Sequence, residues 1–402
     1  MAQLPLEGKM QEIRADAPSL DRRIFLMSCG ASIMPQPVVQ AMHDYLDLEA
    51  DVGGYAAADI EARRIADVHT SVARLLNAKD EEIALVENAT VAWQKAFYSL
   101  PFKAGDVVLT VEAEYAANYV AYLQIKQRHG IDIRVVSSDE TGQVDLDALE
   151  AMIDDKVKLI SATWIPTNGG LANPAKEIGL IARRHGIPYL LDACQAVGQI
   201  PADVEELNCD FLAGTSRKFL RGPRGAGFLY VRKERLADLD PVIIDHWGAP
   251  WVERDRYELR ADARRFETWE SNCGNRIGMG VAIDYALALG LDQIEARCQI
   301  LSDRLRGGLR DISGVEVLDL GPRPSAIVSF RAEGMPAWEI VRQAATRDVI
   351  IGVTGKASTL IDAERRGLAQ HVRAAPHYFN TVEEIDTTVE VVAGLLKSNH
   401  TN

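Results

Sequence analysis

An α/β layered fold follows from the sequence: a mainly parallel sheet of about seven strands, then a smaller α+β domain. Between residues 80 and 232, short apolar, β-branched runs alternate with longer amphipathic stretches. Beyond residue 277 the order changes to long helical patterns followed by clustered short runs. The 402 residues also exceed what one simple core fills, since roughly 150 residues per domain is usual.

The strand runs lie at 83–86, 107–111, 133–136, 158–162, 187–191, 211–214 and 227–231. Helical patterns such as 119–128 and 175–185 stand between them. Short strands joined by crossovers this long pair in parallel and bury both faces. The last two runs are separated only by RGPRGA, a turn-rich segment, so one strand is expected to be antiparallel. RGPRGAG lacks the G-x-G-x-x-G spacing and the strand-then-helix context of a dinucleotide loop. From residue 277, IGMGVAIDYALALG leads into a helix over 291–309. Strand runs at 315–318, 326–330 and 349–353 and helices at 338–346 and 382–396 complete the smaller domain. The expected organisation is an N-terminal segment 1–30 packing near the small domain, a large domain 31–280 and a small domain 281–402.

Composition narrows the function. The chain is 47% hydrophobic and 25% charged, which excludes disordered and collagenous classes. With 44 basic against 58 acidic residues the formal charge is −14, a poor match for phosphate backbones, so no nucleic acid is expected. Five scattered cysteines form no Cys-x-x-Cys pair, so neither a disulfide framework nor a metal site is expected. The amino terminus lacks an apolar signal region, and no apolar run reaches the roughly 20 residues a bilayer requires. A cytoplasmic protein is expected.

The chemistry gathers at strand ends. LISATW, YLLDACQ and DFLAGTSRKFL each deliver polar groups at the carboxyl end of an apolar run, the edge where ligands bind in open α/β sheets. Asp192 ends one run and Gln195 follows it; Thr215, Ser216, Arg217 and Lys218 follow the next. Alone, the Asp reads as a helix cap and the Lys as a solvated side chain. Together they converge on one edge. VENATVAW places Asn88, Ala89 and Thr90 at a helix start, where free backbone N–H groups favour an anion.

These segments resemble the class V aminotransferases, pyridoxal 5'-phosphate (PLP) enzymes of fold type I that include the cysteine desulfurases. The resemblance runs from FLMSCGASIMPQPVVQAM to YFNTVEEID. It implies that Lys218 binds the cofactor covalently, that Asp192 pairs with the pyridine nitrogen and that Gln195 approaches the ring hydroxyl. Ala89, Thr90, Thr215 and Arg217 are implied phosphate ligands, and Thr167 and Asn168 in TWIPTNGGLANP contact the ring. HVRAAPHYFNT resembles a family stretch in which Arg373 grips the substrate carboxylate through a bidentate fork. RRFETWESN resembles a segment that reaches the partner's phosphate in relatives, with Glu270 and Ser271 replacing the usual Gly-Thr. A homodimer with shared active sites is implied.

Two departures bear on the reaction. Desulfurases carry a cysteine in a loop of the C-terminal domain, and IGVTGKASTLIDAERRGLAQHVR contains none. Cys194 reads as a buried structural thiol. Desulfurases also read roughly E-H-H-A-N, with one His stacked on the ring, where this chain has AEYAANYVAY; the His pair becomes Tyr115 and Ala116, and Tyr115 or Tyr119 is left to replace one role. GGYAAADIEA and IPTNGGLANP are most similar to the branch with C–S lyases and isopenicillin N epimerase-like enzymes, with Tyr55 assigned to the substrate pocket. The expected activity is β-elimination from a cysteine S-conjugate, with Lys218 and Tyr115 as catalytic groups. An amino-acid epimerase, an aminotransferase and a decarboxylating oxidative deaminase are alternatives, and a non-catalytic binding homologue is a further one.

Overall fold

The computed structural model describes residues 4–399. Residues 1–3 and 400–402, the outer ends of the expected N-terminal segment and small domain, lie outside the described residues. The main sheet has seven strands, in the order Ile83–Val86, Gly227–Val231, Phe211–Thr215, Tyr189–Asp192, Val157–Thr163, Val107–Val111, Asp132–Val136. Gly227–Val231 runs antiparallel to both neighbours, and the other pairings are parallel. The mainly parallel seven-stranded sheet with one antiparallel strand is therefore present as expected. The reason is local: RGPRGA spans only a turn, whereas parallel neighbours need a crossover.

Successive residues of these strands enter opposite core layers. Leu109, Leu191 and Leu212 pack on one face; Val108, Leu190 and Phe211 pack on the other. Double-sided burial explains why the runs read as continuous apolar stretches. Boundaries moved where backbone chemistry intervened. The run at 187–191 forms its strand only from Tyr189, because Pro188 has no N–H for the ladder. The helix expected at 119–128 begins at Ala116 and ends at His129, which places Tyr115 at its N-cap, φ −72° and ψ 135°.

A four-stranded antiparallel sheet lies in the C-terminal part, in the order Val315–Val317, Val328–Ala332, His371–Ala374, Gly352–Thr354. The single run at 349–353 is split in two. Val349–Ile350 pairs with Ile24–Phe25 from the N-terminal segment, and Gly352–Thr354 joins the four-stranded sheet. His371–Ala374 was not anticipated as a strand, since four residues mixing His and Arg with Val and Ala carry no clear period. Helices Cys273–Leu289 and Leu291–Arg310 meet at 80° across Gly290, whose φ of +91° suits glycine. Among the described residues no single helix is long and apolar enough to cross a membrane.

Candidate active site

The carboxyl ends of Tyr189–Asp192, Phe211–Thr215 and Val157–Thr163 open onto one cavity of about 470 Å³. Nine of the expected residues line it: Ala89, Thr90, Tyr115, Thr167, Asp192, Gln195, Thr215, Arg217 and Lys218. Lys218 is 8% exposed, and its Nζ donates to Cys194 Sγ at 3.1 Å. Asp192 Oδ1 accepts from the Cys194 backbone N–H at 2.9 Å, and Oδ2 accepts from Asn118 Nδ2 at 2.9 Å. Gln195 Nε2 donates to Cys29 O at 3.0 Å and Thr167 Oγ1 at 3.2 Å, while its Oε1 is buried without a partner.

Helix Ala89–Tyr98 turns its N-terminus into the cavity. Asn88 is its N-cap, and its side chain accepts from Val91 N at 3.0 Å. The first intrahelical bond runs from Ala92 N to Asn88 O, so the amides of Ala89 and Thr90 have no intrahelical acceptor. Arg217 lines the same cavity but spends one guanidinium nitrogen on Gly30 O. Tyr115 is 36% exposed. Burial raises its phenol above the ordinary value, as do Cys194 and Asp192, and Arg217 and Arg373 oppose them. The phenol therefore stays protonated at neutral pH and can donate.

Arg373, on strand His371–Ala374, does not line the cavity itself but touches Thr167, which does. Its Nη1 donates to Thr167 O at 2.8 Å and Thr167 Oγ1 at 2.7 Å, and its Nε is buried without a partner. Part of the fork is thus free for a carboxylate. Arg373→Ala is expected to raise KM for amino-acid substrates by roughly 30-fold or more, because losing one partner of such a pair costs about 2–5 kcal/mol. Steady-state kinetics with cofactor content measured in parallel checks this; unchanged KM removes Arg373 from the site.

Three expectations are corrected. Asn168 does not line the cavity. It is 6% exposed and turned toward the C-terminal part, with Nδ2 donating to Thr359 Oγ1 at 2.7 Å and Gly355 O at 3.1 Å, and Oδ1 accepting from Thr354 Oγ1. Both residues lie in a turn, where the contacts to Thr354, Gly355 and Thr359 hold Asn168 away and only Thr167 faces the site. Tyr55 is 81% exposed on the short helix Gly54–Ile60 and lies in a separate groove with Trp247, Trp269, Glu270 and Ser271. Cys194 is no purely structural thiol, since it lines the cavity beside Lys218. Burial pushes this thiol up, while Lys218 and Arg217 pull it back.

Sequence reading also missed Glu87, Ile165, Arg224 and Gly225, which line the same cavity. The last two sit in RGPRGAG, where Gly225 has φ +76°. The signal was a basic residue inside a turn between two site-bearing strands. The carbonyls of Cys29 and Gly30 touch Gln195 and Arg217, contacts that nothing near residue 30 announces.

Residues 24–388 match the family model of the class V aminotransferases. The chain belongs to the class V aminotransferase family. As a member it is a PLP-dependent enzyme acting on an amino acid. It is similar to a probable cysteine desulfurase of Methanothermobacter thermautotrophicus, 30% identical over 96% of this chain and 99% of that one. A probable cysteine desulfurase of Xylella fastidiosa is 31% identical over 98% and 96%. Among solved structures, an apo cysteine desulfurase from Thermococcus onnurineus superposes with TM-score 0.91 at 26% identity, covering 99% of both chains. The cystine C–S lyase C-DES shares the fold at TM-score 0.85 and 22% identity, over 94% of this chain and 98% of that one. The cavity of this class V enzyme fits the cofactor. Among the described residues it offers an amine, a carboxylate with no cationic partner, an orphaned Gln195 oxygen and a helix N-terminus with free amides.

Proposed function

We propose that this enzyme is a C–S lyase that cleaves a cysteine S-conjugate by β-elimination. In the balanced reaction, R–S–CH2–CH(NH3+)–COO− and water give R–SH, pyruvate and ammonium. The observation that carries the reading is the Cys-free stretch from residue 351 to Arg373. There the desulfurases that the chain resembles hold the cysteine that accepts sulfur. Without it, sulfur leaves as a small molecule.

PLP, when bound, supplies an electron sink for the pair left at the α-carbon. The chain's own groups do the rest. Arg373 holds the α-carboxylate through the nitrogens that Thr167 leaves free. Asp192 turns its carboxyl group into the cavity, where a cationic ring nitrogen would find its partner. Lys218 Nζ takes the α-proton, and Tyr115 donates a proton to the leaving sulfur from its protonated phenol. A second copy of the chain completes this reading: Tyr55, Trp251, Tyr257 and Trp269 leave aromatic surface exposed for a homodimer.

Pyruvate release from a panel of S-substituted cysteines and their sulfoxides is the test. If no conjugate yields pyruvate, while α-deuterium exchanges with inversion or a keto acid is aminated, the lyase reading fails. Cys194→Ala sharpens it. Losing the Cys194 contact to Lys218 removes one hydrogen bond to a thiol, about 1 kcal/mol, so turnover is expected to stay within roughly tenfold. A persulfide found on Cys194 by mass spectrometry after turnover with cysteine overturns this and favours desulfuration with Cys194 as acceptor.

A further inference from the structure

Behind Asp192 lies a second buried carboxylate that the chemistry above does not use. Glu114 is 3% exposed and receives only neutral donors. Its Oε1 accepts from Tyr115 N at 2.7 Å, from Asn118 Nδ2 at 2.9 Å and from the Thr163 hydroxyl. Its Oε2 accepts from Thr110 Oγ1 at 2.9 Å and Tyr122 Oη at 3.1 Å. Asn118, itself 1% exposed, donates from the same Nδ2 to Asp192 Oδ2 at 2.9 Å. One amide nitrogen thus bridges two carboxylates 74 and 4 residues away. Carboxylates accept and do not donate, so this bridge admits only the amino side of the Asn118 amide.

Among the described residues neither Glu114 nor Asp192 makes an ion pair. Asp192 is held by two neutral N–H groups, that of Cys194 and that of Asn118. These fix its direction without neutralising it. We propose that Glu114 is a positioning residue: its Oε1 locks the Asn118 amide so that Nδ2 holds the Asp192 carboxylate toward the cofactor's ring nitrogen. The inference rests on the assignment of Asp192 to that nitrogen. Burial raises the Glu114 carboxyl, and hydrogen bonds from Thr163 and Asn118 oppose the rise. The role rests on the acceptor Oε1, which two obligate donors, the Tyr115 N–H and the Asn118 amide, keep free of a proton. The spacing accounts for the geometry. Tyr115 is the N-cap of helix Ala116–His129, so Glu114 precedes the first turn and Asn118 lies within it.

The test uses holoenzyme loaded with PLP labelled with 15N at the pyridine nitrogen. Two readouts are the 15N chemical shift at neutral pH and the rate of cofactor loss on dilution. Asn118→Ala and Glu114→Ala are expected to move the shift toward the unprotonated form and to speed cofactor loss roughly tenfold, as outer supports of a functional group typically do. Glu114→Gln is expected to restore both readouts, because its carbonyl can replace Oε1 and the Thr110 and Tyr122 hydroxyls can turn to accept from its amide. A wild-type shift and loss rate in Asn118→Ala overturns the inference. So does Glu114→Gln behaving like Glu114→Ala. If Glu114→Ala fails to fold, Asn118→Ala and Glu114→Gln still decide. Asp192→Asn separates the layers: an unmoved shift there removes the Asp192 assignment along with the inference. A shift moved by Asp192→Asn but not by Asn118→Ala removes the inference alone.

Discussion

Lys218→Ala is expected to abolish the visible absorption of covalently held cofactor and to slow turnover by at least the 10²–10⁴-fold, roughly, that a positioned base contributes. The reason is geometric. Lys218 follows strand Phe211–Thr215, is 8% exposed, and has the neutral Cys194 thiol as its side-chain partner at 3.1 Å. Among the described residues no carboxylate forms an ion pair with it, so its amine is not committed elsewhere. For the same reason its removal leaves no broken ion pair, and the variant should fold. Borohydride reduction of the wild-type holoenzyme followed by peptide mapping should find the cofactor on Lys218. A reduced lysyl adduct elsewhere in the chain, or a retained band in the variant, defeats the assignment.

The second large effect is expected at Tyr115. Its phenol is raised by burial and by Cys194 and Asp192, and it lines the same cavity as Lys218. Tyr115→Phe keeps the ring and removes the proton, so kcat for elimination should fall by about 10²–10⁴-fold with little change in cofactor absorption. Substrates with better leaving groups should lose less, because they need less protonation of the departing sulfur. An equal loss for good and poor leaving groups would show that Tyr115 packs the site without serving as its acid.

Much of the cavity lining was legible because its markers are local. Asp192 and Thr215 each end a strand, and Lys218 follows three residues beyond the second, so parallel pairing alone brings them to one edge. Asn88, Ala89 and Thr90 were legible for a similar reason: a capping side chain before a helical run marks a helix start. Arg373 was legible only through resemblance, since no pattern within HVRAAP distinguishes it from a solvated arginine. Its strand had no visible period, and its partner Thr167 lies 206 residues away.

Local pattern was therefore enough for the seven strands of the main sheet, the antiparallel strand after RGPRGA, and the strand-end cluster of Asp192, Gln195 and Lys218. Those features depend on side-chain alternation, turn length and strand polarity, which are short-range properties of a chain. Packing had to settle which way individual side chains leave the backbone. It turned Thr167 into the cavity and Asn168 out of it, brought Cys194 against Lys218, and left Tyr55 on a separate exposed groove. It also joined Glu114 to Asp192 through Asn118, across 74 residues of sequence from Asn118 to Asp192. Such contacts arise where distant segments meet, and their register is set by the burial of both layers against the sheet rather than by any spacing within one segment.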